Sequence, residues 1–182
     1  MRRKAQIKSA SAVENRSGFA ESSTATYAIE PGQTSKLGAI ALDVTTTLLM
    51  AAVVSQSLSD QILISQAVRD GLKMELALEL DKKGDVNMDS ITRHNIIPRK
   101  TWDSAVKSGA EFLTPANSER VLRVARVTAK ARETFGREKA DRWMERVTTA
   151  LGEQPPMAML ATESGARAVE LLLGPIDHGF AA

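Results

Sequence analysis

Apolar positions along this chain recur at helical spacing almost wherever they recur at all. Leu42, Leu49, Ala52 and Val53 mark a first apolar stretch from Leu37 to Val54. Ser57 precedes a second, Leu58 to about Leu80, with Gly71 as its expected interruption. The Lys82-Lys83-Gly84-Asp85 cluster predicts a turn. Asn87 is placed to cap a short helix from Met88 to about His94, and Pro98 to open another that runs to Ser108 and stops at Gly109. The result is helix, short turn, helix. Thr114 as N-cap and Pro115 at the first helical position start the longest element, with no breaker before Gly136. On it Val121, Val124, Ala125, Thr128, Ala131 and Phe135 fall on one arc, and Arg120, Arg123, Arg126 and Lys130 on the opposite one. This spacing predicts a core face and a basic face.

Beyond Gly136, Ala140, Trp143, Met144 and Val147 repeat as the stripe of an amphipathic helix. The Gly152-Glu153-Gln154-Pro155-Pro156 link ends that unit, and a short turn over Met157 to Ala161 follows. Thr162 caps a last helix that is expected to close at Leu173, with Gly174 and Pro175 just past it and a short tail from Ile176 to Ala182. Residues 1–36 show neither helical nor strand period and read as a mobile arm. No segment reads as a strand. The expected fold is therefore all-α: a helical region over 37–132 containing the helix-turn-helix, then a compact C-terminal helical domain over 133–182. The long helix from Pro115 to Thr134 forms the junction between them.

Composition narrows the chemistry. The 182 residues include no Cys and only two His, which removes disulfides, thiol catalysis and thiolate or histidine-rich metal sites. No cofactor is expected. The stretch Leu37–Val54 is apolar enough to raise a membrane span, but Asp43 and three consecutive threonines, Thr45 to Thr47, argue for a buried or dimer-forming helix. With no secretory leader pattern, the expected location is the cytoplasm.

Charge matters by position. Lys and Arg number 24 against 22 Asp and Glu, so the whole chain is nearly neutral. Between Val86 and Arg132, however, Arg93, Arg99, Lys100, Lys107, Arg120, Arg123, Arg126, Lys130 and Arg132 face only Asp89, Asp103, Glu111 and Glu119. In the helix after Pro98, Trp102, Ala105 and Val106 share a face suited to the core, leaving Arg99, Lys100, Asp103 and Lys107 outward. That division suits a helix-turn-helix, whose exposed second helix reads the major groove. The candidate DNA contacts are Arg93, Arg99 toward guanine, Lys100, Thr101 toward phosphate or a thymine methyl, and Lys107 toward phosphate. The same residues equally describe an ordinary solvated basic face.

Two longer patterns then resemble a known family. Leu113-Thr114-Pro115-Ala116-Asn117-Ser118-Glu119-Arg120-Val121-Leu122-Arg123-Val124-Ala125-Arg126-Val127, followed by Phe135-Gly136 and Ala140-Asp141-Arg142-Trp143, is similar to the central part of the Xre/MbcA/ParS antitoxins. Ala150-Leu151-Gly152, then Pro156 through Glu170, then Leu172-Leu173-Gly174-Pro175-Ile176-Asp177-His178-Gly179-Phe180, resembles their C-terminal toxin-binding domain. The resemblance implies an antitoxin of a type II pair, with an Xre-like N-terminal domain that dimerises and can bind the operon's own promoter. The implied partner is a RES-domain toxin, which consumes NAD or ADP-ribosylates a target. The implied inhibition is direct, the last residues blocking the toxin's cleft. Carried onto this chain, the toxin-binding residues are Trp143, Leu151, Leu160, Arg167, Leu173, Ile176, His178, Gly179 and Phe180. Without the resemblance, Ile176 and Phe180 would be read as folding back onto Trp143 or Leu172. The match is weaker in the N-terminal half.

The alternative from another class is a stand-alone helix-turn-helix regulator whose C-terminal domain only oligomerises. Enzymatic activity is not expected: Glu163, Asp177 and His178 lack an accompanying nucleophile, phosphate loop or metal spacing.

Overall fold

The computed structural model describes residues 31–55 and 57–177, and among them the chain is all-α, as its periodicity predicts. The helices are α1 (Pro31–Val54), α2 (Leu58–Asp70), α3 (Met74–Lys83), α4 (Met88–Arg93), α5 (Arg99–Lys107), α6 (Pro115–Phe135), α7 (Arg137–Glu145), α8 (Pro156–Met159) and α9 (Glu163–Asp177), with a 3-10 turn at Thr149–Leu151. Most of the expected arm, residues 1–30, lies outside the described residues, as do Gln56 and residues 178–182.

Local chemistry accounts for most boundaries. Ser57 and Asn87 cap α2 and α4 by accepting the backbone N–H of Asp60 and of Ser90. Thr114 Oγ1 accepts from Asn117 N, and Pro115 opens α6 where its missing N–H costs nothing. Gly71 breaks the second apolar stretch into α2 and α3. At φ +87° it tolerates a backbone that other residues resist, and a Cβ there would lie 2.5 Å from the Leu113 carbonyl oxygen. That closeness lets the α2–α3 junction run beside the segment entering α6. Met74 N donates to Glu111 O at 2.9 Å, Leu113 N to Leu72 O at 2.8 Å, and Leu72 N to Ser118 Oγ at 2.7 Å.

Four boundaries and faces differ from expectation. α1 begins at Pro31 rather than Leu37, Pro being a favoured opener. α9 continues through Gly174 and Pro175 to Asp177 instead of closing at Leu173. A proline near a helix end removes one N–H bond, and the buried Ala166, Val169 and Leu173 hold the rest of the helix in place. Val106 is exposed on α5, and Val147 lies exposed beyond the end of α7. In both cases helical spacing continued past the surface that the neighbouring helices cover.

The threonine run of α1 needs no aqueous partner. The hydroxyls of Thr45, Thr46 and Thr47 donate back to the carbonyls of Ala41, Leu42 and Asp43 at 2.7, 2.7 and 2.9 Å. No single helix among the described residues is long and apolar enough to cross a membrane, and α1 and α2 are bent by 119° at their break. Val44, Leu48, Leu58, Ile62 and Leu63 stand exposed on this pair, and α2 buries none of its residues fully.

At the centre lies α6, packed against α1, α2, α7 and α9. Val121, Val124, Ala125, Val127 and Ala131 are fully enclosed on it, with Ile91, Met144, Leu160, Val169 and Leu173 among the surrounding core.

Candidate functional site

Two regions carry the candidate chemistry, and α6 joins them. In the first, α4 and α5 form the expected helix-turn-helix. The link between them runs from His94 to Pro98, with Asn95 at φ +55° and Ile96 N donating to Ile91 O at 3.0 Å. Ile96 and Ile97 of this link are fully buried, whereas α5 has no fully buried residue. The hold on α5 therefore comes from the turn, helped by the half-buried Trp102 and Ala105. Sequence reasoning assigned that task to α5 itself.

All five DNA candidates, Arg93, Arg99, Lys100, Thr101 and Lys107, are exposed. Two of them are engaged with acids. Arg93 pairs with Asp89 and lies 3.7 Å from Glu145, and Arg99 lies 3.3 Å from Asp89. The hydrogen bond from Arg93, then that from Arg99, holds the Asp89 carboxyl below its ordinary range. Lys100, Thr101 and Lys107 project along the outer length of α5.

Glu145, at the end of α7, is a residue that the sequence reading missed. It accepts from Ser90 Oγ and from His94 Nε2, the latter at 2.8 Å, and so ties α4 to the C-terminal region. Partial burial pushes its carboxyl up, but the Ser90 and His94 hydrogen bonds and the His94 and Arg93 charges outweigh this and hold it below its ordinary range. A carboxylate depressed in the folded state stabilises above its unfolded pKa and loses that contribution as pH falls through the folded value. Thermal melts should therefore show Glu145→Gln less stable than the parent at neutral pH, with the gap narrowing below about pH 4. A gap constant from pH 7 to pH 3 would remove the tie.

The second region is built on the supposed basic face of α6. Arg123 is 6% exposed rather than solvated, a correction to the two-faced reading. Its guanidinium donates to the carbonyls of Leu160 and Ala161 at 3.1 and 3.3 Å and to Glu163 at 3.0 Å, and it pairs with Glu119. One turn on, Arg126 reaches Glu163 at 3.1 Å and Glu170 at 2.9 Å. Burial lowers the Arg126 pKa, and the carboxylates of Glu170 and Glu163 more than offset this, leaving it above its ordinary value. Arg123 and Arg126 of α6 are thus the seat of α9. Arg120 and Lys130 keep half-exposed positions, Arg120 donating to Asn117 Oδ1 at 3.1 Å.

The candidate toxin-binding residues divide by burial. Leu151, Leu160 and Leu173 lie in the core, so they hold helices together and present no surface. The reason is that α9 turns Ala166, Val169 and Leu173 toward α6 and α8. Trp143 is half-buried with its ring 5.2 Å from that of Phe135, and Arg167 is exposed on α9. Ile176 falls within the last turn of α9. His178, Gly179 and Phe180 lie outside the described residues. Leu171, which the sequence reading passed over, is 74% exposed. Its signal was available: it stands off the stripe made by Ala166, Val169 and Leu173.

The chain is similar to known proteins of one family. Residues 130–179 match the family model described as the antitoxin Xre/MbcA/ParS C-terminal toxin-binding domain. The chain is 31% identical over 118 residues to an antitoxin Xre of Pseudomonas putida, covering 64% of this chain and 72% of that protein. It is 30% identical over 115 residues to an antitoxin Xre of Yersinia enterocolitica, covering 62% and 77%. To an antitoxin Xre of Photorhabdus laumondii it is 42% identical over 74 residues, covering 40% of this chain and half of the relative.

Proposed function

The chain belongs to the Xre/MbcA/ParS antitoxin family, and from that premise we propose that it neutralises a RES-domain toxin by direct contact, without catalysis of its own, in the cytoplasm. The C-terminal unit docks on the toxin and the residues after α9, with His178, Gly179 and Phe180, enter the toxin's nucleotide-consuming cleft. The observation that carries this reading is the match of residues 130–179 to a toxin-binding domain. Supporting it, α9 is clamped to α6 by Arg123 and Arg126, so it presents a rigid element to a partner.

The same chain represses its own operon through α5, where Lys100, Thr101 and Lys107 are exposed and the turn beneath is fixed by Ile96 and Ile97. It does so as a homodimer, a role that the exposed apolar residues of α1 and α2 support.

The test is co-expression with the product of the neighbouring reading frame, using the full chain and a version stopped after Leu173, while following growth, cellular NAD and a promoter reporter. Rescue by the full chain alone is the expected result. Equal rescue by the shortened chain would end the tail-in-cleft mechanism. A harmless neighbour with a strongly repressed reporter would replace the proposal with a stand-alone helix-turn-helix regulator.

A further inference from the structure

The sides of α9 are used unequally. Ala166, Val169 and Leu173 are enclosed in the core. Glu163 and Glu170 are taken by Arg123 and Arg126 of α6. What remains between Glu163 and Gly174 is an outward ridge in which Arg167 and Leu171, one helical turn apart, are both exposed. At 74% exposure, Leu171 is the barest large apolar side chain of the described C-terminal region, ahead of Val147. A single exposed leucine is ordinary on a protein surface. This one stands inside the segment that matches a toxin-binding domain, on a helix fixed by two arginines and running into the C-terminal residues.

We propose that the Arg167–Leu171 ridge of α9 is this chain's contact with the body of the toxin, Leu171 entering an apolar socket and Arg167 meeting a carboxylate at the socket's rim. The inference rests on the toxin-binding reading above, in which Arg167 is already a candidate contact, and adds to it Leu171 and the ridge that the two side chains form. The charge follows from the side chains: Glu163 and Glu170 are neutralised within the chain, so the ridge presents Arg167 as its outward charge to a complementary acidic group. The pairing is preorganised, because the clamp on α6 has already ordered the helix that carries it.

Full-length chains carrying Leu171→Glu, Leu171→Ala or Arg167→Glu, each titrated calorimetrically against the purified product of the neighbouring frame, test this. Melting temperatures and sedimentation serve as controls. Leu171→Glu is expected to melt with the parent and to bind about 30-fold more weakly or worse, the loss that marks a hot-spot contact. Arg167→Glu should slow association, and added salt should shrink that difference. Leu171→Ala introduces no charge, and it decides the matter should Leu171→Glu fail to fold. Binding of both Leu171 variants within about twofold of the parent would overturn the ridge while leaving the toxin-binding reading intact. A parent chain that itself fails to bind overturns both. Variants that bind normally but sediment as a smaller species would assign the ridge to a second copy of this chain and overturn the proposal.

Discussion

Replacing Arg123 with methionine is expected to lower stability by about 2 to 4 kcal/mol, measured as a shift in the urea midpoint at unchanged slope. The size follows from what the guanidinium leaves behind. Glu119 and Glu163 are about half exposed and would return to water at little cost. The carbonyls of Leu160 and Ala161 are different, because they are backbone atoms at the end of α8 and no second substitution can remove them. Losing Arg123 leaves these acceptors, the Leu160 oxygen above all, without their donor beside an apolar side chain. The matched control is Arg120→Met, three residues earlier on the arc that the sequence assigns to basic residues. Arg120 is half-exposed and donates only to Asn117 Oδ1, so its loss should cost about 0.5 kcal/mol. Equal effects at the two positions would mean that the α6–α9 clamp contributes nothing.

That contrast also marks where the sequence stops being readable. Caps and breakers act within one turn, and those at Ser57, Asn87, Thr114-Pro115 and Thr162 are legible because their partners lie three residues away. The helix-turn-helix is legible for the same reason. Arg123 and Arg120 look alike because what separates them is Glu163, 40 residues further on, and Arg126 meets Glu170 at a separation of 44. No periodicity carries that pairing. The same limit applied to the candidate toxin contacts. Leu173 was chosen by family pattern, yet Leu171 stands roughly 200° around the helix from it and is the exposed one. Glu145 escaped notice because its partners, Ser90 of α4 and His94 of the link after it, lie more than 50 residues earlier.

Gly165 carries the second large effect, and its sign opposes intrinsic propensity. In an open helix Gly→Ala is stabilising by about 1 kcal/mol. At Gly165 an added Cβ would lie 2.0 Å from the carbonyl oxygen of Met159, 2.9 Å from its carbon and 3.0 Å from Thr162 Oγ1. The first two are backbone atoms of α8 and cannot rotate aside, so α8 and the start of α9 must separate. Gly165→Ala should therefore destabilise by about 2 kcal/mol. Gly174→Ala on the same helix has nothing within 4 Å of its new Cβ, and there the propensity gain should appear. Opposite signs for two identical substitutions in one helix would be hard to produce except by the close approach of α8. The same displacement would carry off the acceptors of Arg123, since the Leu160 and Ala161 carbonyls sit in the turn between α8 and α9. The costs of Gly165→Ala and Arg123→Met should consequently fall short of additive in the double variant. Full additivity would separate the glycine's close packing from the arginine clamp and leave α9 held by two independent contacts.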